Sequence, residues 1–239
     1  MMILHTNIIG EGDPLVLIHS GGMTGLTEYE EQNNYFSTRN FKVIRPDLRG
    51  HGNSVGEIDN YFNRCVEDIR ETMEYLNVEK FNIAGVSIGG IVALLFSQTY
   101  PDKVRTLCFS GVFPNQPEHW EEMLQEENEH YEQLFNDEEA VSILNEMHGE
   151  NDWKTLLSSF NNDDFYPFDH TGNVANLKVP TLCMVGEQEK LEVSAAVTYK
   201  KLNSHINISV IPFAGHLVHR DQPELYSQVL YTFIKNSSK

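Results

Sequence analysis

Basic residues are scarce in this chain of 239 residues: 17 Lys and Arg stand against 35 Asp and Glu, a formal charge of −18. Proteins that grip nucleic acid need basic patches to neutralise phosphates, so the balance argues against that class. Cysteine is equally thin. Cys65, Cys108 and Cys183 are scattered, odd in number and without C-x-x-C spacing, which argues against a disulfide framework and against a zinc site. Each reads instead as a small buried hydrophobe. No apolar run approaches the length of a membrane span. Residues 1–5 have neither the basic region nor the apolar run of a secretory leader, so a cytoplasmic, soluble protein is expected. Internal repeats and low-complexity linkers are also missing.

What is present suits one α/β domain, alone or carrying an insertion, because 40% hydrophobic residues supply a large core. The negative charge is unevenly spread. Residues 113–172 hold sixteen Asp and Glu against Lys154 alone, a net −15 that leaves −3 for the rest. Within that stretch Trp120, Leu124, Tyr131, Leu134 and Phe135 fall mostly on one helical face. Ala140, Leu144 and Met147 form a second stripe, and Trp153, Leu156, Leu157 and Phe160 a third. We read two or three amphipathic helices inserted between strands, with acidic faces toward water. His119, His130 and His148 are expected at the surface of this insertion.

The rest of the chain alternates strands and helices, which implies a doubly wound, mostly parallel sheet. Residues 2–9 and the turn residues Gly10, Gly12 and Pro14 suggest a β-hairpin leading into Leu15-Val16-Leu17-Ile18, an apolar run typical of a strand buried on both faces. His19-Ser20-Gly21-Gly22-Met23-Thr24-Gly25 follows, flexible enough to present backbone N–H groups at the end of a buried strand. Further strands are read at residues 41–45, 80–84, 104–109, 179–185 and 206–211, and helices at 28–38, 61–76, 91–98, 191–202 and 224–235.

Gly85-Val86-Ser87-Ile88-Gly89 sits between an apolar strand and an apolar helix, the setting that gives G-x-S-x-G chemical meaning. A sharp turn there strains the serine backbone and brings strand and helix close, and Gly85 and Gly89 relieve the resulting crowding. The helix N-terminus directs free N–H groups toward Ser87, which benefits a nucleophile that becomes an acyl ester.

Five features in order now resemble the α/β-hydrolase fold family, in particular its small esterase-like members with a helical cap. They are His19-Ser20-Gly21-Gly22 after a strand, Asp47-Leu48-Arg49-Gly50-His51-Gly52-Asn53-Ser54, the elbow at Ser87, Gly186-Glu187-Gln188-Glu189 after a strand, and Ala214-Gly215-His216. The resemblance implies a core of residues 1–112 and 173–239, with 113–172 as an acidic cap. It also implies a catalytic set of Ser87, His216 and Glu189, with Glu187 and Glu192 as rival acids. An oxyanion hole would come from the N–H groups of Ile88 and Gly21, Gly22 being the alternative donor. Asp47 and His51 read as structural. No metal or cofactor is implied, and the expected partner is a small ester-like molecule. Lactonases, carbon–carbon bond hydrolases, haloperoxidases and acyltransferases use a similar scaffold. A non-catalytic receptor with a hydrolase shell is the rival from another class, and oligomeric state stays open.

Overall fold

The computed structural model describes residues 2–162 and 164–237; residues 1, 163, 238 and 239 fall outside the description. Its frame is a seven-stranded sheet: β1 (Thr6–Ile9), β2 (Asp13–Ile18), β3 (Phe41–Pro46), β4 (Phe81–Val86), β5 (Val104–Ser110), β6 (Thr181–Gly186) and β7 (Asn207–Ile211). The strand order is β1-β3-β2-β4-β5-β6-β7, parallel throughout except for β1, which pairs antiparallel with β3.

Side-chain alternation decides which helices cover which face. Val16, Ile18 and Ile83 point into one core with α2 (Tyr61–Tyr75), α3 (Ile88–Thr99) and α8 (Lys190–Leu202). Leu15, Leu17, Ala84 and Val86 point into the other, with α1 (Glu30–Ser37) and α10 (Pro223–Ser237). Every residue of β4 is buried, as in a central parallel strand, and its one polar side chain, Asn82, is hydrogen-bonded to the Pro14 carbonyl and the Thr106 hydroxyl.

The expected hairpin between β1 and β2 does not form. Residues 15–18 of β2 are wholly buried and need neighbours on both edges, which β3 and β4 provide. Residues Ile8 and Ile9 are about two-fifths exposed and suit an edge, so β1 caps the far side of β3.

Among the described residues, four helices lie between β5 and β6: α4 (Trp120–Asn136), α5 (Glu138–His148), α6 (Trp153–Ser159) and α7 (Phe168–Thr171). Asp137 caps α5 by accepting the N–H groups of Glu139 and Ala140, and Asp152 caps α6 through Thr155. Leu124, Trp153, Leu156 and Leu157 are buried beneath them, while most of α4 is exposed. Tyr166 and Thr171 tie the far end of this segment to Phe113 through hydrogen bonds. Among the described residues no helix is long and apolar enough to cross a membrane.

Candidate active site

Ser87 occupies the turn between β4 and α3 at φ 54, ψ −125, a region costing a non-glycine residue about 1–3 kcal/mol. Packing explains why the strain persists. A Cβ on Gly85 would strike the Gly89 carbonyl, and one on Gly89 would strike the carbonyls of Ile18 and His19. The Ser87 N–H is spent on the carbonyl of Ser110 at 2.8 Å. Ile88 opens α3, so its N–H belongs to the first turn, where no intrahelical acceptor exists.

Ser87, Ile88 and His216 line one cavity of about 500 Å³. His216 follows β7 and precedes the short helix α9 (Val218–Asp221), and its loop is fixed by the Gly215 N–H donating to Asp221 at 2.7 Å. Gly111, at φ 68, packs between imidazole and serine: a Cβ there would lie 2.5 Å from His216 Cε1 and 3.3 Å from the Ser87 nitrogen.

The acid differs from the one expected. His216 Nδ1 lies 2.5 Å from Oε1 of Glu192, not Glu189. Glu187 instead accepts the Phe213 N–H, and Glu189 lines the cavity without bonding the imidazole. The physical reason is helix register. Glu189 stands just ahead of α8, whereas Glu192 lies in its first turn on the same stripe as buried Ala195, Ala196 and Tyr199. That spacing was present in the sequence and singles out Glu192 as the carboxylate held inside. Glu192 is 5% exposed and the imidazole 42%, so the ring reaches from a buried anchor to the open cavity. Burial opposes protonation of His216, yet the Glu192 hydrogen bond and charge, with Glu189 and Glu127 behind them, raise its pKa above the usual 6.5. With Nδ1–H given to Glu192, Nε2 is the basic nitrogen.

The loop after β2 is held peptide by peptide. The Ser20 N–H donates to Glu28 Oε2 at 2.5 Å, and the Ser20 hydroxyl donates to Oε1. His19 Nδ1 donates to the Ser20 carbonyl at 2.8 Å, while its Nε2 accepts the Leu48 N–H. The Gly22 N–H faces His51 Nε2 at 3.4 Å. Gly22 therefore spends its donor on His51, while a Cβ on Gly21 would strike the ring of Phe160, which lines the cavity. Glu28 went unnoticed in the sequence. It is buried between Ser20, His219 Nε2 at 3.1 Å and Arg220 Nε at 3.2 Å, and so joins this loop to the one carrying His216. Burial works against its ionisation, but His219, the Ser20 N–H and His19 together hold its carboxyl at about 2.

Asp47 and His51 are both buried scaffolding. Asp47 accepts the N–H groups of Gly25 and Asn53 and pairs with His5. His51 and His19 meet edge to face at 4.8 Å. His148 overturns the expected surface position: it is 0% exposed and sits 5.6 Å from His51. Burial lowers the pKa of all three, and for His51 the neighbouring His19 and His148 add to the effect.

A buried carboxylate, an imidazole and a strained serine beneath a helix N-terminus can generate a nucleophile and shelter an oxyanion. Comparison with known proteins places the chain among hydrolases. The chain is 38% identical over 106 residues to (E)-2-((N-methylformamido)methylene)succinate hydrolase of Acinetobacter baylyi, covering 44% of this chain and 40% of that one. It is 31% identical over 105 residues to a probable proline iminopeptidase of Leptolyngbya boryana, covering 43% and 32% respectively. These matches thus span well under half of either relative's length. Among solved structures, a carboxylesterase of Nitrososphaera gargenis superposes with a TM-score of 0.81 at 19% identity, over 98% of this chain and 94% of that one. Residues 13–140 match the family model described as alpha/beta hydrolase fold, and the chain belongs to that family of hydrolases.

Proposed function

We propose that this protein is a serine hydrolase that cleaves carboxylic esters of small molecules through an acyl-Ser87 intermediate. His216 Nε2 takes the hydroxyl proton as Ser87 attacks, and returns it to the leaving alcohol when the tetrahedral intermediate collapses. A water molecule activated by the same nitrogen then releases the acid. Glu192 holds the ring in the Nδ1–H tautomer and stabilises the imidazolium. The N–H groups of Ile88 and Gly21 receive the developing oxyanion. The observation that carries this reading is the 2.5 Å contact between buried Glu192 and the imidazole that shares a cavity with Ser87.

The cavity also suggests which esters. Trp120, Phe160, Phe165 and Tyr166 give it aromatic walls, and Glu126, Glu127 and Glu189 add carboxylates, with no Lys or Arg in the lining among the described residues. Neutral or cationic substrates are favoured over anionic ones, because a substrate's negative charge would meet the carboxyl groups of Glu126, Glu127 and Glu189 in the lining. The helices between β5 and β6 act as the lid of this site. Turnover of short p-nitrophenyl esters, thioesters, lactones and aryl amides by the wild type and Ser87→Ala tests the proposal. Ester hydrolysis that vanishes in the variant is expected. A folded wild type inert toward esters but active on another acyl or carbon–carbon bond would overturn the ester reading.

A further inference from the structure

The loop after β2 carries the Gly21 donor, and its consecutive peptide units are each gripped by a different side chain. Glu28 accepts the N–H of the unit between residues 19 and 20, and His19 donates to the carbonyl of the unit between 20 and 21. The second of these contains the Gly21 N–H, so clamping its carbonyl sets the opposite direction in which that N–H points. His51 faces the N–H of the next unit. The one after it, between residues 22 and 23, is held from outside the core: His148 Nε2 lies 3.1 Å from the Gly22 carbonyl.

His148 is the last residue of α5, and its second nitrogen is engaged as well. The Gly52 N–H donates to His148 Nδ1 at 3.1 Å, and Asn151, three residues on, donates to the Gly52 carbonyl at 2.8 Å. Only the Nε2–H tautomer serves both of the imidazole's partners, since Nδ1 must accept while Nε2 donates. The ring thus bridges the Gly22 loop and the Gly52 loop, wedged against His51 on one side and Trp153 on the other. No surface role needs a fully buried imidazole with both nitrogens committed to core backbone.

We propose that His148 is a positioning residue through which the seating of the α4–α7 lid on the core sets the orientation of the oxyanion loop. The inference rests on the serine-hydrolase reading. Lid closure and the final seating of the oxyanion loop are then one event: when α5 lifts, the Gly22 carbonyl loses its donor, and the Gly21 unit keeps its His19 clamp while the turn that follows it loses its outer support. The consequence is kinetic. Such a residue governs transition-state stabilisation more than substrate affinity, so its loss is read in kcat rather than KM.

The test compares His148→Gln, His148→Asn and His148→Phe on p-nitrophenyl acetate, together with the rate of Ser87 phosphonylation by a fluorophosphonate. Gln can place its amide donor near the Nε2 position and reach Gly22, Asn can mimic only the Nδ1 acceptor, and Phe can do neither. The Asn and Phe variants should lose about tenfold to a hundredfold in kcat, less than the roughly 10²–10³ for deleting an oxyanion donor outright. Their KM should stay within about threefold and phosphonylation should slow in parallel, while Gln recovers most of the rate. Unchanged kcat in a folded Asn or Phe variant, a loss confined to KM, or no advantage of Gln over Asn would overturn the proposal. Hydrogen exchange on the unaltered protein gives a readout that no misfolded variant can spoil. The Gly52 amide should open together with the end of α5, and opening in step with the central sheet instead would count against the coupling. A wild type that takes no phosphonate on Ser87 overturns the hydrolase reading and this inference with it. A labelled wild type with an indifferent His148→Phe sinks the inference alone.

Discussion

Replacing Glu192 by Gln should disable the enzyme, and replacing Glu189 by Gln should not. Glu192 Oε1 lies 2.5 Å from His216 Nδ1 and the carboxylate is 5% exposed, so solvent screens the pair poorly. A unit charge about 4 Å from the centre of the imidazolium, at an effective dielectric near 20, is worth about 4 kcal/mol. At about 1.4 kcal/mol per decade that stabilisation corresponds to roughly three decades in rate. An amide can also donate toward the ring and admit the wrong tautomer, which pushes the expected loss toward about 10⁴. Glu189 acts on His216 through space alone and from a half-buried position, so its amide should cost less than about tenfold. The assay is kcat/KM on a short p-nitrophenyl ester for each variant, with circular dichroism confirming that both fold. Three decades lost at Glu189, with Glu192→Gln within tenfold of wild type, would refute the reasoning.

Other consequences follow from the same contacts. His216 must be neutral to act as a base and its pKa is raised, so the acid limb of kcat/KM against pH should fall above 6.5. Glu189→Gln should move that limb to lower pH, and an unmoved limb would show that the through-space charge is unimportant. Glu28 has a carboxyl at about 2 against an ordinary 4.5, so its stabilisation is complete above pH 4.5 and is lost as pH falls toward 2. Denaturant titration of Glu28→Gln should therefore show a deficit of about 3 kcal/mol at neutral pH that shrinks between those limits. A deficit independent of pH would contradict it. Gly111→Ala should cut kcat sharply, because a Cβ at 2.5 Å from His216 Cε1 forces the ring to move; wild-type rates would show that the loop yields instead.

Local signals make the sheet and the serine elbow legible in the sequence alone. Ser87 could be read because its strand, its glycines and its helix are contiguous, and Leu15 to Ile18 because burial on both faces leaves an unbroken apolar run. The partner of β1 could not be read this way: its pairing with β3 is decided by which strands demand interior places, a non-local competition. The carboxylate that bonds His216 lies one helical turn beyond the expected Glu189. Topology brings residues 187–192 to the correct sheet edge, but only the register of α8 turns Glu192 inward. His148 reads as a surface residue because most of α5 is exposed and carries Glu138, Glu139 and Glu146, and a histidine in a last helical turn looks alike whether it faces water or the core.

The most direct measurement is the mass of the intact protein after exposure to a fluorophosphonate, followed by peptide mapping. A single adduct on Ser87 is predicted, absent from Ser87→Ala and greatly slowed by Glu192→Gln. Folded wild-type protein that stays unmodified, or that carries its adduct on another residue, would contradict the account.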